Sequence, residues 1–243
     1  MIIWLASYPK SGNTWIRLFL DSLIKTSNEF NINQNFIQQF PLRSNFEGLT
    51  GDINNQKEFA KYCILAQKKI NVDRKIKIFK THNAFWNWNN GEFFFTDEKQ
   101  TLGVVHIVRD PRNIVTSILN YFHKQNYSNA IDFMKKNRVL GGDEDEHGLP
   151  TIIGSWSSHY KSWRKFKKNN LLIKYENLLK KPEEEFFKIT NFLKIIGNFE
   201  FSNNNILKAI DNCKFNNLSK QEDIHGFVGN SDTNKKKNKK FFN

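Results

Sequence analysis

The sequence predicts an α/β protein, a three-layer α/β/α arrangement around a short central parallel sheet. Three observations carry this expectation. Residues 2–7, 103–108 and 171–175 are short, mostly apolar runs of strand length. Segments with apolar residues at helical spacing lie between them. Strand and helix patterns therefore alternate along the chain, the order that builds a parallel sheet with helical crossovers.

Residues 2–7 are apolar without interruption and stop at a turn signal, as a strand buried on both faces does. Residues 14–25 then place Trp15, Leu18, Phe19 and Leu23 on one helical face. Residues 28–55 are polar and Asn-rich and specify no clear element. Residues 56–70 read as a helix, and residues 75–80 alternate as a strand. After the strand 103–108, residues 113–124 read as a helix with Ile114, Val115, Ile118, Leu119 and Phe122 on one face. Residues 140–150 read as a loop with an acidic cluster at 143–146. Residues 151–168 read as a helix carrying Trp156, Tyr160, Trp163 and Phe166. After the strand 171–175, residues 182–196 form a helix that Pro182 opens, with Glu183, Glu184 and Glu185 in its first turn. Residues 203–212 are a weaker helix, and beyond Gly226 the chain turns polar and basic.

The 243 residues carry no Pro/Gly/Ser-rich linker and no internal repeat, which favours one domain. The 37 Lys and Arg outweigh 24 Asp and Glu, a net charge of +13 that favours anionic partners. No RNP-like or helix-turn-helix signature accompanies that charge, so a nucleic-acid partner is not expected. Cys63 and Cys213 have no ligand spacing around them; structural zinc and a disulfide framework are both unexpected. The N-terminal apolar stretch is too short for a signal peptide and Lys10 interrupts it. No apolar run approaches membrane-spanning length. The expected location is the cytoplasm.

"YPKSGNTW", residues 8–15, connects the first strand to the first helix. In parallel α/β sheets ligands bind at the carboxyl ends of the strands. A helix starting near Asn13 points free backbone N–H groups into the turn and makes an anion site there. Gly12 permits close backbone approach, Lys10 adds a cation, and Ser11, Asn13 and Thr14 add side-chain donors. The pattern is a variant of the phosphate loop, since one glycine is present and the lysine precedes it. An ordinary strand–turn–helix with a solvated lysine is an equal alternative for this stretch alone.

"VVHIVRDPRNIVTSIL" places Arg109 at a strand end and Ser117 eight residues later, about one turn into the following helix. Asp110 or Asn113 caps that helix. A guanidinium and a hydroxyl at one strand end suit a phosphate monoester. A capping Arg/Asp pair beside an unrelated serine is the competing reading.

Together these stretches resemble the sulfotransferases that use 3′-phosphoadenosine 5′-phosphosulfate, proteins of a P-loop nucleotide-binding-like fold. "YPKSGNTW" is similar to their 5′-phosphosulfate loop, usually YPKSGTTW, with Asn13 replacing the first Thr. "RDPRNIVTS" is similar to their 3′-phosphate motif. "IFKTH", residues 78–82, resembles the strand end that carries the catalytic base. "GSWSSHYKSW" and "LLIKYENLLKKPEEEFFKITNFL" are similar to a later helix and to the turn that follows the last strand. The resemblance covers roughly residues 1–215.

The resemblance implies a single sulfotransferase domain over residues 1–243, moving a sulfuryl group from that nucleotide to a hydroxyl or amine of a small-molecule or glycan acceptor. It implies Lys10, Ser11, Gly12, Asn13 and Thr14 around the 5′-phosphosulfate, Arg109 and Ser117 at the 3′-phosphate, and Trp15, Tyr175 and Phe215 at the adenine. His82 would be the general base, with Lys80 and Lys10 stabilising developing charge and no metal required. The family's usual C-terminal element over the 3′-phosphate has no counterpart here. The basic tail from about residue 230, with Phe241 and Phe242, is expected to be either the start of that element, cut short, or a cruder source of charge from residues 235–240. The acidic cluster at 143–146, with His147, lies where acceptor-side loops occur; a solvated loop is the alternative. Phe85, Trp86, Trp88 and residues 93–95 line an acceptor pocket or form core. A P-loop kinase, or a nucleotide-binding relative without turnover, is the alternative function.

Overall fold

A computed structural model describes residues 1–24, 30–34, 36–142, 148–229 and 241–242. The strands in chain order are β1 (Ile2–Ser7), β2 (Lys77–Thr81), β3 (Asn87–Trp88), β4 (Phe93–Phe94), β5 (Thr101–Val108), β6 (Val139–Leu140), β7 (Thr151–Ile152) and β8 (Asn170–Lys174). The helices are α1 (Asn13–Ile24), α2 (Gln56–Ile70), α3 (Pro111–Tyr121), α4 (Tyr127–Lys135), α5 (Trp156–Lys165), α6 (Tyr175–Lys180), α7 (Pro182–Gly197), α8 (Asn203–Asn212) and α9 (Phe215–His225). The chain divides into two compact units, Met1–Asn13 with Gln38–Glu176, and Thr14–Ile37 with Asn177–Asn243.

The first unit is built on a parallel sheet of order β2-β1-β5-β8. This is the expected α/β class with a central parallel sheet. All six residues of β1 are buried, which is why that strand is apolar without alternation. Ala6 is level with Thr81 on one side and with His106 on the other, and Ile107 is level with Ile173. The strands therefore end together, and Tyr8, His82, Arg109 and Tyr175 emerge at one edge of the sheet.

Trp4 anchors the core, fully buried, with the rings of Phe40, Phe79 and Phe95 at 5.4, 6.1 and 5.1 Å. Its indole N–H donates to Thr101 Oγ1 at 2.9 Å, so no polar atom is stranded there. Phe59, Cys63 and Ala66 of α2 and Trp163 of α5 join the same cluster. Phe85 and Trp86 pack against it and Phe95 lies inside it, so these three are core. A second cluster joins Tyr8 to Ile114 and Ile118 of α3 and to Ala130, Phe133 and Met134 of α4, which fixes α3 over the strand ends.

In the second unit Phe19 stacks on Phe186 of α7 at 4.0 Å, and Trp15 meets Phe186 edge-on at 5.7 Å. α7 opens with Pro182 and three glutamates, as expected, and Asn198 caps its C-terminus in the left-handed region. Asp21 accepts from the Ile37 amide at 2.9 Å. Glu222 of α9 accepts from the amides of Phe241 and Phe242 at 2.8 and 3.0 Å.

The structure corrects several boundaries. The helix expected over 151–168 begins only at Trp156, because Thr151 and Ile152 pair with Leu140 and Val139 and Gly154 has φ +65°. Ser155 then caps it by accepting from Ser158 N. α3 begins at Pro111, two residues before the expected start, with Asp110 as its cap. Leu140, expected in a loop, is in β6. α4, α9 and the β3–β4 hairpin occupy stretches to which the sequence assigned no element. Residues 143–147 and 230–240 lie outside the described residues. Both cysteines are buried free thiols. Among the described residues no helix is long and apolar enough to cross a membrane.

Candidate active site

β1 ends at Ser7, and the turn that follows is built around backbone geometry that side chains resist. Gly12 has φ +98°, and a Cβ there would lie 2.8 Å from Cε2 of Tyr175. Only glycine fits. Lys10 itself adopts φ +68°, a costly conformation for a residue with a side chain. Its Nζ lies 3.9 Å from the centre of the Tyr121 ring. Burial, and secondarily the Arg109 charge, lower the Lys10 ammonium to about 8.

Arg109 follows β5. Its Nη1 donates to the Lys10 carbonyl at 3.1 Å, and its guanidinium lies 4.3 Å over the Tyr175 ring. Asp110 donates its backbone N–H to Glu176 at 2.8 Å, which ties the end of β5 to the residues after β8. The anion turn, Arg109 and Tyr175 are thus one assembly within the first unit. Three donors in it lack a partner: the Tyr8 hydroxyl, Ser11 Oγ and Arg109 Nε are all buried without a hydrogen bond. Buried donors seldom stay unmatched, so an acceptor-rich group such as a phosphate fits this turn.

His82 follows β2, next to β1. Its Nδ1 lies 2.8 Å from the Ser7 carbonyl and 3.2 Å from Ser7 Oγ. A carbonyl only accepts, so Nδ1 carries the proton and Nε2 keeps its lone pair. Burial, then the charge of Lys80, and less strongly that of Lys10, push the imidazole down to about 3, against the opposing pull of the Ser7 carbonyl. The ring is a neutral acceptor at any physiological pH. Lys80 is in β2, its backbone N–H donating to Gln38 O at 2.9 Å.

The structure brings Lys10, Ser11, Gly12, Arg109 and Tyr175 together, with His82 at the end of the adjacent strand β2, against Ser7. Asn13 departs from expectation. Its side-chain N–H groups donate to Leu5 O at 2.9 Å and Ser7 Oγ at 3.1 Å, leaving only its backbone for the turn. Ser117 is nearly two turns into α3 rather than one, because that helix starts earlier. Thr14, Trp15 and Phe215 belong to the second unit. There Trp15 donates its indole N–H to Cys213 O at 2.8 Å and lies 4.7 Å from the Phe215 ring.

Ser7 and His159 were not singled out by sequence. Ser7 is an ordinary strand-end serine until the register sets it beside His82. His159, in α5, has Nε2 3.2 Å from the His82 carbonyl and is lowered chiefly by burial. Among the described residues no group of three or more His, Cys, Asp or Glu side chains could hold a metal ion.

A parallel sheet with a one-glycine turn after β1 and an arginine at the end of the neighbouring β5 fits an anionic, acceptor-rich ligand. The sulfotransferase domain family matches residues 2–243, and the chain belongs to that family. Sulfotransferase 1B1 of the dog, Canis lupus familiaris, is 25% identical over 210 residues, spanning 79% of this chain and 58% of the relative. The mouse sulfotransferase SULT7A1 complexed with PAP has the same fold with a TM-score of 0.55 at 21% identity, over 90% of this chain and 65% of that one. Retinol dehydratase, in complex with androsterone and the inactive cofactor PAP, gives 0.56 at 16% identity, over 95% and 71%. This chain therefore spans less than two thirds of the length of the dog and mouse proteins.

Proposed function

We propose that this protein is a sulfotransferase that takes its sulfuryl group from 3′-phosphoadenosine 5′-phosphosulfate and gives it to a hydroxyl or amine of a small molecule or glycan. The observation that carries the reading is the end of β1. One residue, Ser7, holds the proposed base His82 and leads directly into the anion turn. The nucleotide supplies the sulfuryl group and a stable bisphosphate leaving group. Residues 1–243 are read as a single sulfotransferase domain, and two buried unpaired thiols support a cytoplasmic location.

His82 Nε2 accepts the proton of the acceptor hydroxyl or amine as that atom bonds to sulfur. The S–O bond to the 5′-phosphate breaks, and its electron pair stays with that phosphate. Lys10 and Lys80 balance the charge that develops there. Backbone N–H groups of Gly12, Asn13 and Thr14, with Ser11 Oγ, cradle the 5′ end. Arg109 and Ser117 hold the 3′-phosphate, and Trp15, Tyr175 and Phe215 offer ring faces to the adenine. The kinase alternative needs a glycine directly before the lysine of a GxxxxGK[ST] loop, where this chain has Pro9 before Lys10, and it has no support in the family match.

The test is sulfate gain, followed by mass spectrometry, on a panel of phenols, alcohols, amines and sugars. Sulfated product from the wild type, and none from His82→Ala at unchanged bisphosphate affinity, supports the reading. Equal turnover by His82→Ala removes His82 as the base.

A further inference from the structure

We propose that Asn13 is a positioning residue for the base, holding Ser7 in the arrangement that keeps His82 in its Nδ1–H form. This rests on the reading of His82 as the acceptor of the substrate proton. Asn13 opens α1 and is 3% exposed. Its Nδ2 donates to Leu5 O at 2.9 Å and to Ser7 Oγ at 3.1 Å. Because the Leu5 carbonyl only accepts, the amide orientation is settled by its partner. Asn13 Oδ1 is buried with no partner. A stranded carbonyl of this kind is destabilising, so the amide is held for its two N–H groups.

Those N–H groups hold the strand at the Leu5 carbonyl and at the Ser7 hydroxyl, on either side of Ala6. Ser7 then meets His82 Nδ1 with both its oxygens, the carbonyl at 2.8 Å and the hydroxyl at 3.2 Å. One lone pair of Ser7 Oγ faces Asn13 and the other faces Nδ1–H. With Asn13 removed, Ser7 Oγ is free to rotate, and the strand end that carries the Ser7 carbonyl loses its tie at Leu5 O. The imidazole can then exchange its proton to Nε2, where it blocks proton uptake. The same residue contributes its backbone to the anion turn, so one side chain links the turn to the base.

The experiment is 15N NMR of the histidine rings in the wild-type chain, Asn13→Ala, Asn13→Thr and Ser7→Ala. The expected wild-type signals for His82 are a protonated Nδ1 and a bare Nε2. Asn13→Ala should move both toward the averaged position of exchanging tautomers, and Asn13→Thr, which keeps one donor, should restore part of the difference. If Asn13→Ala does not fold, Ser7→Ala decides, because it removes the hydroxyl that Asn13 grips and leaves the carbonyl. A folded Asn13→Ala, or failing that Ser7→Ala, with His82 signals identical to wild type overturns the proposal. The readout is a tautomer and not turnover, so the absence of sulfuryl transfer would refute the proposed function while leaving this result to stand or fall separately. Where transfer is measurable, Asn13→Ala should lower kcat about tenfold or more with little change in nucleotide KM.

Discussion

A histidine held near 3 behaves unlike a free one. Unfolded, its imidazole would titrate near 6.5, but in the site it is neutral down to far lower pH. The acid limb of kcat/KM that an ordinary catalytic histidine produces between pH 6 and 7 should therefore be absent. His82→Ala should lower transfer by about 10²–10⁴-fold and leave bisphosphate binding intact. Lys10 acts at the other end of the scale. Its ammonium is lowered to about 8, so its charge is present at pH 7 and is lost as pH rises through 8. Nucleotide affinity should fall between pH 7 and 9 in titration calorimetry, and Lys10→Arg, which stays charged, should flatten that fall. Of these residues, Lys10 and His82 were legible as chemistry-bearing types at strand ends. Ser7 was not, since nothing about a serine in "IIWLASY" announces a neighbour 75 residues away.

At the scale of the element, the turn between β1 and α1 depends on one residue without a side chain. Gly12→Ala must displace the Tyr175 ring and hold a methyl group at φ +98°. It should cost more than about 1 kcal/mol in unfolding free energy and weaken nucleotide binding, with Tyr175→Ala restoring room but not the backbone conformation. Arg109→Ala removes the guanidinium that spans the Lys10 carbonyl and the Tyr175 ring. Bisphosphate affinity should drop roughly ten- to hundredfold. The strand-to-helix turn itself was legible in "YPKSGNTW" because an apolar run ends there in Pro9, Lys10 and Gly12 before a helical pattern resumes, while its use for an anion was one of two equal readings until the other motifs were added. The role of the Asn13 side chain was not. Helix-start asparagines usually cap, and only the three-dimensional placement of Leu5 O and Ser7 Oγ turns this one inward. The short β6–β7 pair was hidden for a related reason. Two-residue strands carry no periodicity, and Ile152 and Ile153 lie at helical spacing before Trp156, so the helical pattern runs back past the true start of α5.

For the whole molecule, the buried histidines of the first unit make it acid-sensitive. His106 is 1% exposed, and burial lowers it to about 4. Both His106 and His82 bind protons more readily unfolded than folded. Their contribution is complete above pH 6.5 and is lost as pH falls toward 4 and 3 respectively. For His106 alone the loss is about 3 kcal/mol. Asp21 in the second unit runs the other way. Burial raises its carboxyl to about 6, so its cost is relieved as pH falls from 6 toward 4. His159, also lowered by burial, acts in the same direction. The three histidines outweigh one carboxyl, and thermal unfolding should begin at lower temperature at pH 5 than at pH 7, with His106→Gln reducing the difference. The parallel sheet was legible because β1, β5 and β8 are apolar runs separated by helical patterns. The division into two units was not, because the second is assembled from α1 and the C-terminal helices, segments far apart in the sequence with no linker between them.

The most direct test of the account is calorimetric titration of the 243-residue chain with adenosine 3′,5′-bisphosphate and, separately, with ATP. The turn, Arg109 and the family predict clear preference for the bisphosphate, reduced in Arg109→Ala. Preference for ATP, or equal binding of both, would contradict it.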